Sequence, residues 1–398
     1  MVKQGVHLRL AALALAVLAT IGAVPEDHWW LDDYGFNALA LDGSGVRVAV
    51  IDTGVDDSHP DLDGVVIGGA DFSGVGTPDG TQPVGPGGFH GTMVASLIAG
   101  QGRTSGGVIG ISPGVELLAI SVGLGIEGSN TDEQVANAIF WAVDNGANVI
   151  NLSLSRNSEN WPRSWDEAFV YAFENDVVIV AASGNRTQGS QYATAPATIP
   201  GVIGVTAVDQ SGQVAELAGA EGINVAVAAP GVEMLGSCPG GEVRLWEGSS
   251  AAAPIVTGLV ALMRQADPAA TANDIVARIL SSASDAGEPG VDAEYGYGII
   301  QPLAALEATE TSANNPLGSL AQWVRLYRPT AEEESGELLL PQQPGGEEVA
   351  AEAEASEEEP DQAPNPLLYW LLVPLAPLLW FVLRGRFGSK QEKSEGNR

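Results

Sequence analysis

GSSAAAPIVTG, residues 248–258, is the stretch from which the rest of the chain is interpreted. Ser250 follows Gly248 and Ser249 and opens an apolar segment, extending to about Met263, that predicts a buried helix. Pro254 falls within about the first turn, where a missing N–H costs little. A serine at a helix start is most often a cap. The start of a helix is also a suitable position for a nucleophilic serine, because the backbone N–H groups that are free at that end can hold a developing oxyanion.

The composition is that of a large folded domain with additional segments. Of the 398 residues, 45% are apolar and 50 are glycine, which favours one α/β domain and argues against general disorder. The net charge of -33 disfavours nucleic acid as a partner, because its phosphates would be repelled. Cys238 is the only cysteine, so neither an intrachain disulfide nor a CxxC metal site can form. Its surroundings predict a buried small residue and not an activated thiol.

The N-terminus has the pattern of an export signal. Lys3 and Arg9 precede an apolar run rich in alanine and leucine, and Pro25 follows that run. This order is typical of a secretory signal peptide, here over residues 1–24. An uncleaved membrane anchor is the alternative, and export across a membrane follows from either interpretation.

The C-terminal part predicts a spacer and then a membrane span. Residues 313–366 are expected to form an acidic disordered linker, since Glu332–Asp361 contains many acidic residues and no lysine or arginine. Residues 367–383, LLYWLLVPLAPLLWFVL, carry no charge and predict one transmembrane helix, with a short interfacial helix as the alternative. The basic tail 384–398 would lie in the cytoplasm by the positive-inside bias, and residues 25–366 outside. The expected location is therefore the cell membrane, crossed once, with the main domain extracytoplasmic.

Between residues 25 and 312, strand-like and helix-like segments alternate. Short apolar runs predict strands over 46–52, 107–122 (after a loop), 147–155, 177–185, 201–209 and 223–231. Amphipathic or buried helices are predicted over 89–100, 131–145, 165–175, 269–282 and 302–307. This alternation predicts an α/β fold whose mostly parallel sheet is covered by helices on both faces.

Polar side chains stand at the ends of these elements. Asp52 ends a strand, His90 opens a helix and Asn185 ends another strand, positions where open α/β sheets carry reactive groups. Acyl-transfer chemistry gives each a role. Ser250 Oγ would attack a carbonyl, His90 would take its proton, and Asp52 would hold the imidazole. The Asn185 amide would bind the oxyanion. Each residue alone is more often structural, as a cap or a packed histidine.

The loop after the first strand contains four acidic residues. Asp56, Asp57, Asp61 and Asp63 could ligate Ca²⁺, but their spacing does not match the EF-hand pattern, and a solvated loop is favoured. No metal site is therefore assigned. The acyl-transfer chemistry requires no cofactor.

The motifs VAVIDTGVDDSHPDL, HGTMVASLIAG, AASGN and GSSAAAP, in this order, resemble those of the subtilisin-like serine proteases, or subtilases. The resemblance covers roughly residues 40–310 and implies a subtilisin-like fold and a serine endopeptidase acting on proteins or peptides. By the same resemblance, Ser153, Leu154 and Ser155 would line the cleft and pair with the substrate backbone as an added strand. The region of Gly107 would supply the opposite edge.

Two positions depart from the usual subtilase pattern. Ser249 and Ala251 flank the serine where the family generally has threonine and methionine, and both are small enough to be tolerated. Ser155 stands where the family often has glycine, and its side chain is expected to narrow the pocket for the residue before the cut.

Within the subtilases, the layout resembles the mycosins, the membrane-anchored proteases of actinobacterial type VII secretion systems. The resemblance lies in the signal peptide, the short stretch before the catalytic domain, LAGAEGINVAVAAPG (217–231), AAPIVTGLVALMRQADP (252–268) and the single C-terminal span. It implies a secretion-system membrane complex as partner. The lone Cys238 is a departure, since mycosins tend to carry disulfides. The alternative function is a largely non-catalytic scaffold or peptide-binding subunit of such a complex, and an esterase or transferase using the same acyl-enzyme remains a third interpretation.

Overall fold

A parallel sheet forms the centre of the molecule. The structure is a computed structural model that describes residues 28–328 except 104–105, 189–190 and 216–218. The strands of the main sheet are β1 (Arg47–Asp52), β2 (Val66–Asp71), β3 (Glu116–Ser121), β4 (Val149–Leu152), β5 (Val178–Ala182), β6 (Ile203–Val208) and β7 (Val227–Pro230). All pairs are parallel, in the order β2-β3-β1-β4-β5-β6-β7. An antiparallel hairpin, β8 (Met234–Cys238) and β9 (Glu242–Trp246), lies outside this sheet.

Helices cover both faces of the sheet. They are α1 (Trp29–Asp33), α2 (His90–Ala99), α3 (Thr131–Asp144), α4 (Arg163–Glu174), α5 (Ser249–Ala266), α6 (Ala272–Ser282), α7 (Pro302–Glu307) and α8 (Leu320–Tyr327). Alternate residues of β1 pack into opposite cores, as the pleat of a strand requires. Val48 and Val50 pack with α2, α5 and α6, whereas Ala49 and Ile51 pack with α3 and α4. The predicted mostly parallel α/β fold is confirmed.

Helix α5 is buried along nearly its whole length. Its small residues allow close approach, and a Cβ on Gly258 would lie 2.5 Å from Ile111 Cβ. Pro254 lies in the second turn, so the N–H that it lacks is the one that would bond the Ser250 carbonyl. The Ser153 hydroxyl donates to that carbonyl instead, at 3.0 Å. The residue after β4 thus completes the helix.

Three parts of the described chain differ from the sequence-based expectations. Strand β2 and the β8–β9 hairpin were not predicted, because VIGGAD is glycine-rich and neither hairpin strand alternates between buried and exposed residues. Strand β8 is buried at every position, and β9 has no buried residue. The linker predicted to begin at residue 313 is wrong for residues 313–328, which include α8. The Leu320 side chain is 1% exposed and packs into the same core as α4. The spacing of an amphipathic helix, i, i+3, i+4, is present at Leu320, Trp323 and Val324. This signal was missed because the acidic composition of the following residues predicted a linker.

Among the residues that the structure describes, no helix is both long enough and apolar enough to cross a bilayer. The predicted signal peptide (1–24), the remainder of the predicted linker, the predicted span (367–383) and the predicted tail (384–398) lie outside the described residues.

A buried polar contact links α5 to β4, and its energetic contribution can be measured. The Thr257 hydroxyl donates to Asn151 Oδ1 at 2.8 Å, and both side chains are fully buried. Thr257→Val keeps the shape but leaves the Asn151 oxygen without this donor. We expect the free energy of unfolding in urea to fall by about 1–3 kcal/mol.

Thr206→Val is the matched control. Thr206 is also fully buried, but its hydroxyl has no hydrogen-bond partner within the described part of the chain. Its replacement should leave stability unchanged or raise it. Equal losses in the two variants would contradict the energetic role given to the Thr257–Asn151 bond.

Candidate active site

Asp52 and His90 form the buried end of the site. Asp52 is the last residue of β1 and is fully buried, whereas His90 opens α2 with 24% of its side chain exposed. His90 Nδ1 lies 2.9 Å from both carboxylate oxygens of Asp52, and the Thr53 N–H donates to one of them at 2.7 Å. A carboxylate only accepts hydrogen bonds, so Nδ1 carries the proton and Nε2 is left as the basic nitrogen.

The surroundings of His90 also set its acidity. Burial alone would lower the pKa of the imidazole. The negative charge of Asp52 and the hydrogen bond to it stabilise the imidazolium more strongly, so the pKa of His90 is raised above its usual value. The Trp246 ring packs edge-on against the imidazole, with 5.6 Å between the ring centroids. The imidazole is therefore held by both the strand and the hairpin.

Ser250 is the second residue of α5 and lines the same cleft as His90. Gly248, before it, has φ +144°, a backbone conformation that other residues rarely adopt, and a Cβ there would lie 3.1 Å from Asn185 Nδ2. Glycine is therefore required at this turn. The Ser250 hydroxyl donates to the Ser153 carbonyl at 3.2 Å.

The side chain of Asn185 is oriented by Ser249. The Ser249 N–H donates to Asn185 Oδ1 at 2.9 Å, and the Ser249 hydroxyl lies 3.0 Å from the same oxygen. Because Oδ1 faces Ser249, the amide nitrogen Nδ2 is the group available to the cleft. In the sequence, Ser249 is predicted only to be a small neighbour of the serine. The signal that could have revealed its role is that it is the hydroxyl residue standing where the family has threonine.

His90, Asn185 and Ser250 line a single cleft of about 510 Å³. Ser153, Leu154 and Ser155, which follow β4, line the same cleft. Its lining also includes Leu124 and Gly125, which follow β3, and Phe89, which precedes His90. One edge of the sheet thus brings together the carboxyl ends of β1, β4 and β5 and the N-terminal ends of α2 and α5.

Gly107 does not lie in this cleft, and the prediction that its region forms the opposite edge is wrong. Gly107 is buried in the loop after α2, where the N–H of the next residue, Val108, donates to Asp61 at 2.8 Å. Leu124 and Gly125 occupy the expected position instead. They follow β3, the strand beside β1, so the rule that parallel strand ends meet at one edge could have identified them.

One carboxylate of the acidic loop after β1 is buried, although the sequence predicts a solvated loop. Asp61 is fully buried, and its carboxylate accepts hydrogen bonds from the N–H groups of Arg103 and Val108 and from the Ser237 hydroxyl. His59 is also buried, with Nε2 3.2 Å from the Glu242 carbonyl of the hairpin. Within residues 28–328, apart from the gaps given above, no group of three or more His, Cys, Asp or Glu side chains is placed to hold a metal ion.

The profile of the subtilase family (Peptidase_S8) matches residues 43–298, more than half of the chain. The chain belongs to the subtilase family of serine peptidases. Fervidolysin from Fervidobacterium pennivorans is 37% identical over 313 residues, which cover 71% of this chain and 44% of that protein. Subtilisin amylosacchariticus from Bacillus subtilis subsp. amylosacchariticus is 38% identical over 267 residues, 67% of this chain and 66% of that subtilisin. This subtilase thus spans less than half of fervidolysin and about two thirds of the subtilisin.

Two solved structures resemble the subtilase domain over nearly their whole length. The crystal structure of MycP1 with the N-terminal propeptide removed has a TM-score of 0.60 at 28% identity, covering 73% of this chain and 99% of MycP1. The MycP3 protease from the type VII (ESX-3) secretion system has a TM-score of 0.58 at 30% identity, covering 72% of this chain and 88% of MycP3. MycP1 and MycP3 therefore share the fold of this chain.

The raised pKa of His90 predicts the pH dependence of activity. Only the neutral imidazole can accept a proton, so kcat/KM for peptide hydrolysis should fall as the pH drops, with a midpoint above the ordinary histidine value of 6.5. Asp52→Asn removes the charge that raises the pKa. We expect it to move this midpoint to lower pH and to reduce the plateau rate by about 10⁴-fold.

The measurement is the pH profile of kcat/KM for both proteins. Asp57→Asn, which removes an equal charge from the exposed part of the following loop, should leave the midpoint in place because solvent and salt screen that charge. An unchanged midpoint in Asp52→Asn would refute the coupling of His90 to Asp52.

Proposed function

We propose that this subtilase is a serine endopeptidase that cuts peptide bonds through an acyl-enzyme formed on Ser250. His90 would take the Ser250 proton on Nε2 and return it to the leaving amine, while Asp52 stabilises the imidazolium. The observation that carries the proposal is the pair of 2.9 Å contacts between His90 Nδ1 and the Asp52 carboxylate, with His90 and Ser250 lining one cleft. The reaction as proposed uses no cofactor, and Ca²⁺ has no assigned role.

Two hydrogen-bond donors are available for the tetrahedral intermediate. One is Asn185 Nδ2, whose direction follows from the bond between Ser249 N–H and Asn185 Oδ1. The other is the Ser250 N–H, which belongs to the first turn of α5 and has no helical partner. Donors held in place before the reaction stabilise the developing charge without reorganisation. To attack, the Ser250 hydroxyl must turn from the Ser153 carbonyl toward His90 Nε2.

The substrate would lie extended across the cleft. The backbone of Ser153–Leu154–Ser155 follows a strand end and can pair with a peptide as an added strand, while Leu124 and Gly125 line the cleft with it. Backbone pairing recognises any extended peptide, so discrimination must come from the side-chain pockets. This arrangement suits protein or peptide substrates.

The terminal segments support a location for this activity. A signal peptide over 1–24 and a span over 367–383 would attach the protease to the cell membrane with its catalytic domain outside. The rest of the predicted acidic linker, residues 329–366, would connect the catalytic domain to the span. The similarity to MycP1 and MycP3 supports a mycosin-like role in a type VII secretion complex.

One contact favours a second candidate function. The Ser250 hydroxyl donates its proton to the Ser153 carbonyl, an arrangement that does not by itself start acyl transfer. In this case the chain would be a scaffold or peptide-binding subunit of a membrane secretion complex.

Labelling with a fluorophosphonate probe distinguishes the two candidates. We expect membranes that contain the wild-type chain to be labelled and the Ser250→Ala variant to lose the label, because the probe traps an activated serine in a formed oxyanion hole. Ser281→Ala, which removes an exposed hydroxyl from α6, should be labelled like wild type. A folded wild-type chain that takes up no label would refute the endopeptidase proposal and favour the scaffold.

The Ser155 side chain gives a prediction about specificity. Ser155 lines the cleft and should favour small or slender residues before the cut. Ser155→Gly should raise kcat/KM for a phenylalanine peptide relative to an alanine peptide by roughly tenfold, since about one heavy group is removed from the pocket. The control is Ser281→Ala, which removes an exposed hydroxyl from α6 and is not among the residues lining the cleft. A wild-type preference for phenylalanine or tyrosine in a peptide library would overturn this assignment.

A further inference from the structure

The last described residue, Arg328, binds a loop that borders the cleft. We name residues 155–161 the cleft-wall loop; Ser155 and Asn157, at its start, line the cleft. At the other end of this loop, Arg328 Nη2 donates to the Trp161 carbonyl at 3.2 Å. Arg328 also donates twice to Asp166 in α4, from Nε at 2.8 Å and from Nη2 at 3.1 Å. The Asp166 side chain is only 8% exposed, so this bidentate pair is largely shielded from solvent.

Aromatic contacts complete the attachment of Arg328. Its guanidinium lies 5.7 Å from the Trp161 ring centroid and 5.2 Å from that of Trp323 in α8. The two indole rings are 4.5 Å apart, and Trp161 Nε1 donates to Asp166 at 2.7 Å. Trp161 is therefore held through its ring, its ring nitrogen and its carbonyl by a cluster of which Arg328 is the centre.

The other part of the cleft-wall loop is also held from outside. The Arg156 guanidinium donates to both carboxylate oxygens of Asp132 at 2.8 Å, and to the Asn160 carbonyl at 2.8 Å. The N–H of Arg156 donates to the Ala195 carbonyl at 3.0 Å. The middle of the loop is held as well, because the Ala195 N–H donates to the Ser158 carbonyl at 2.8 Å and the Thr198 hydroxyl to the Glu159 carbonyl at 2.7 Å. Arg156 near the start of the loop and Arg328 at its end add to these contacts.

Asn157, between these two attachments, has a strained backbone. Its φ of +55° lies in the left-handed region, which asparagine tolerates at a cost. Such a conformation persists where the surrounding contacts enforce it. Because Asn157 lines the cleft, relaxation of its backbone would change the shape of the cleft wall.

We infer that Arg328, supported by Trp323, is a positioning residue for substrate selection. By holding Trp161 it keeps the cleft-wall loop in the conformation that sets the width of the cleft at Ser155 and Asn157. This inference rests on the proposed endopeptidase function, since the selection is among peptide side chains. It assigns a role in specificity to α8, a helix beyond residue 298, where the match to the family profile ends.

The test compares two arginine substitutions in the full-length chain. Arg328→Ala removes the attachment just after α8, and Arg325→Ala removes an equal charge from an exposed position within α8. The readout is the ratio of kcat/KM for two peptides that differ only in having phenylalanine or alanine before the cut. We expect Arg328→Ala to shift this ratio toward phenylalanine by about fivefold, chiefly through KM, and Arg325→Ala to leave it unchanged.

A conservative variant separates positioning from general destabilisation. Arg328→Lys keeps the charge beside Asp166 but loses the planar two-donor contact, so the shift should be intermediate between wild type and Arg328→Ala. A ratio in Arg328→Ala that stays within about twofold of the Arg325→Ala value would overturn the inference, whatever the change in melting temperature.

Amide hydrogen exchange gives a readout that requires no activity. In Arg328→Ala, the amides of residues 156–161 should exchange about tenfold faster than in wild type, while those of α2 should not change. Unchanged exchange in the cleft-wall loop would overturn the inference by itself. A wild-type chain that neither hydrolyses the peptides nor takes up the fluorophosphonate probe would instead refute the proposed function, and the exchange data would still decide whether Arg328 holds the loop.

Discussion

The hydrogen bond from the Ser249 N–H to Asn185 Oδ1 joins the start of α5 to the end of β5, and the geometry of the site depends on it. A buried helix terminus needs partners for its N–H groups. Here Asn185, after β5, provides one acceptor, and the same hydrogen bond orients the Asn185 side chain. A second contact of this kind involves the Ser250 carbonyl. Pro254 lacks the N–H that would bond this carbonyl, and the Ser153 hydroxyl donates to it instead. The first turn of α5 is therefore completed by residues following β4 and β5.

The parallel sheet explains why these contacts form at one place. Its strands are buried by helices on both faces, so their ends are where polar side chains can gather without interrupting the core. This is also why the sequence allowed Asp52, His90, Asn185 and Ser250 to be predicted together. Each directly follows, precedes or opens an apolar element, and the order of the elements implied the sheet. Short local patterns were sufficient because each residue lies at an element boundary.

The features that could not be predicted depend on partners distant in sequence. Asp61 looks solvent-exposed in a polar loop, but its carboxylate is buried because the hairpin supplies Ser237, 176 residues later. Arg328 lies within the predicted acidic linker, but its partner Asp166 precedes it by 162 residues. Gly107 was assigned to the cleft by motif position, whereas the order of the strands places Leu124 there. Local composition carries no information about which distant group will neutralise a charge.

The central position of α5 has a consequence for when the protease can first act. The helix packs against β4, β5, β6 and β7 and against α2, all of which precede it in the chain. A chain emerging from its N-terminus therefore exposes Asp52 and His90 long before the serine exists. Until α5 has been made, much of one face of the sheet also remains uncovered. Contacts so distant in sequence form slowly. The site described here therefore stays incomplete until the helix that closes the core has been inserted.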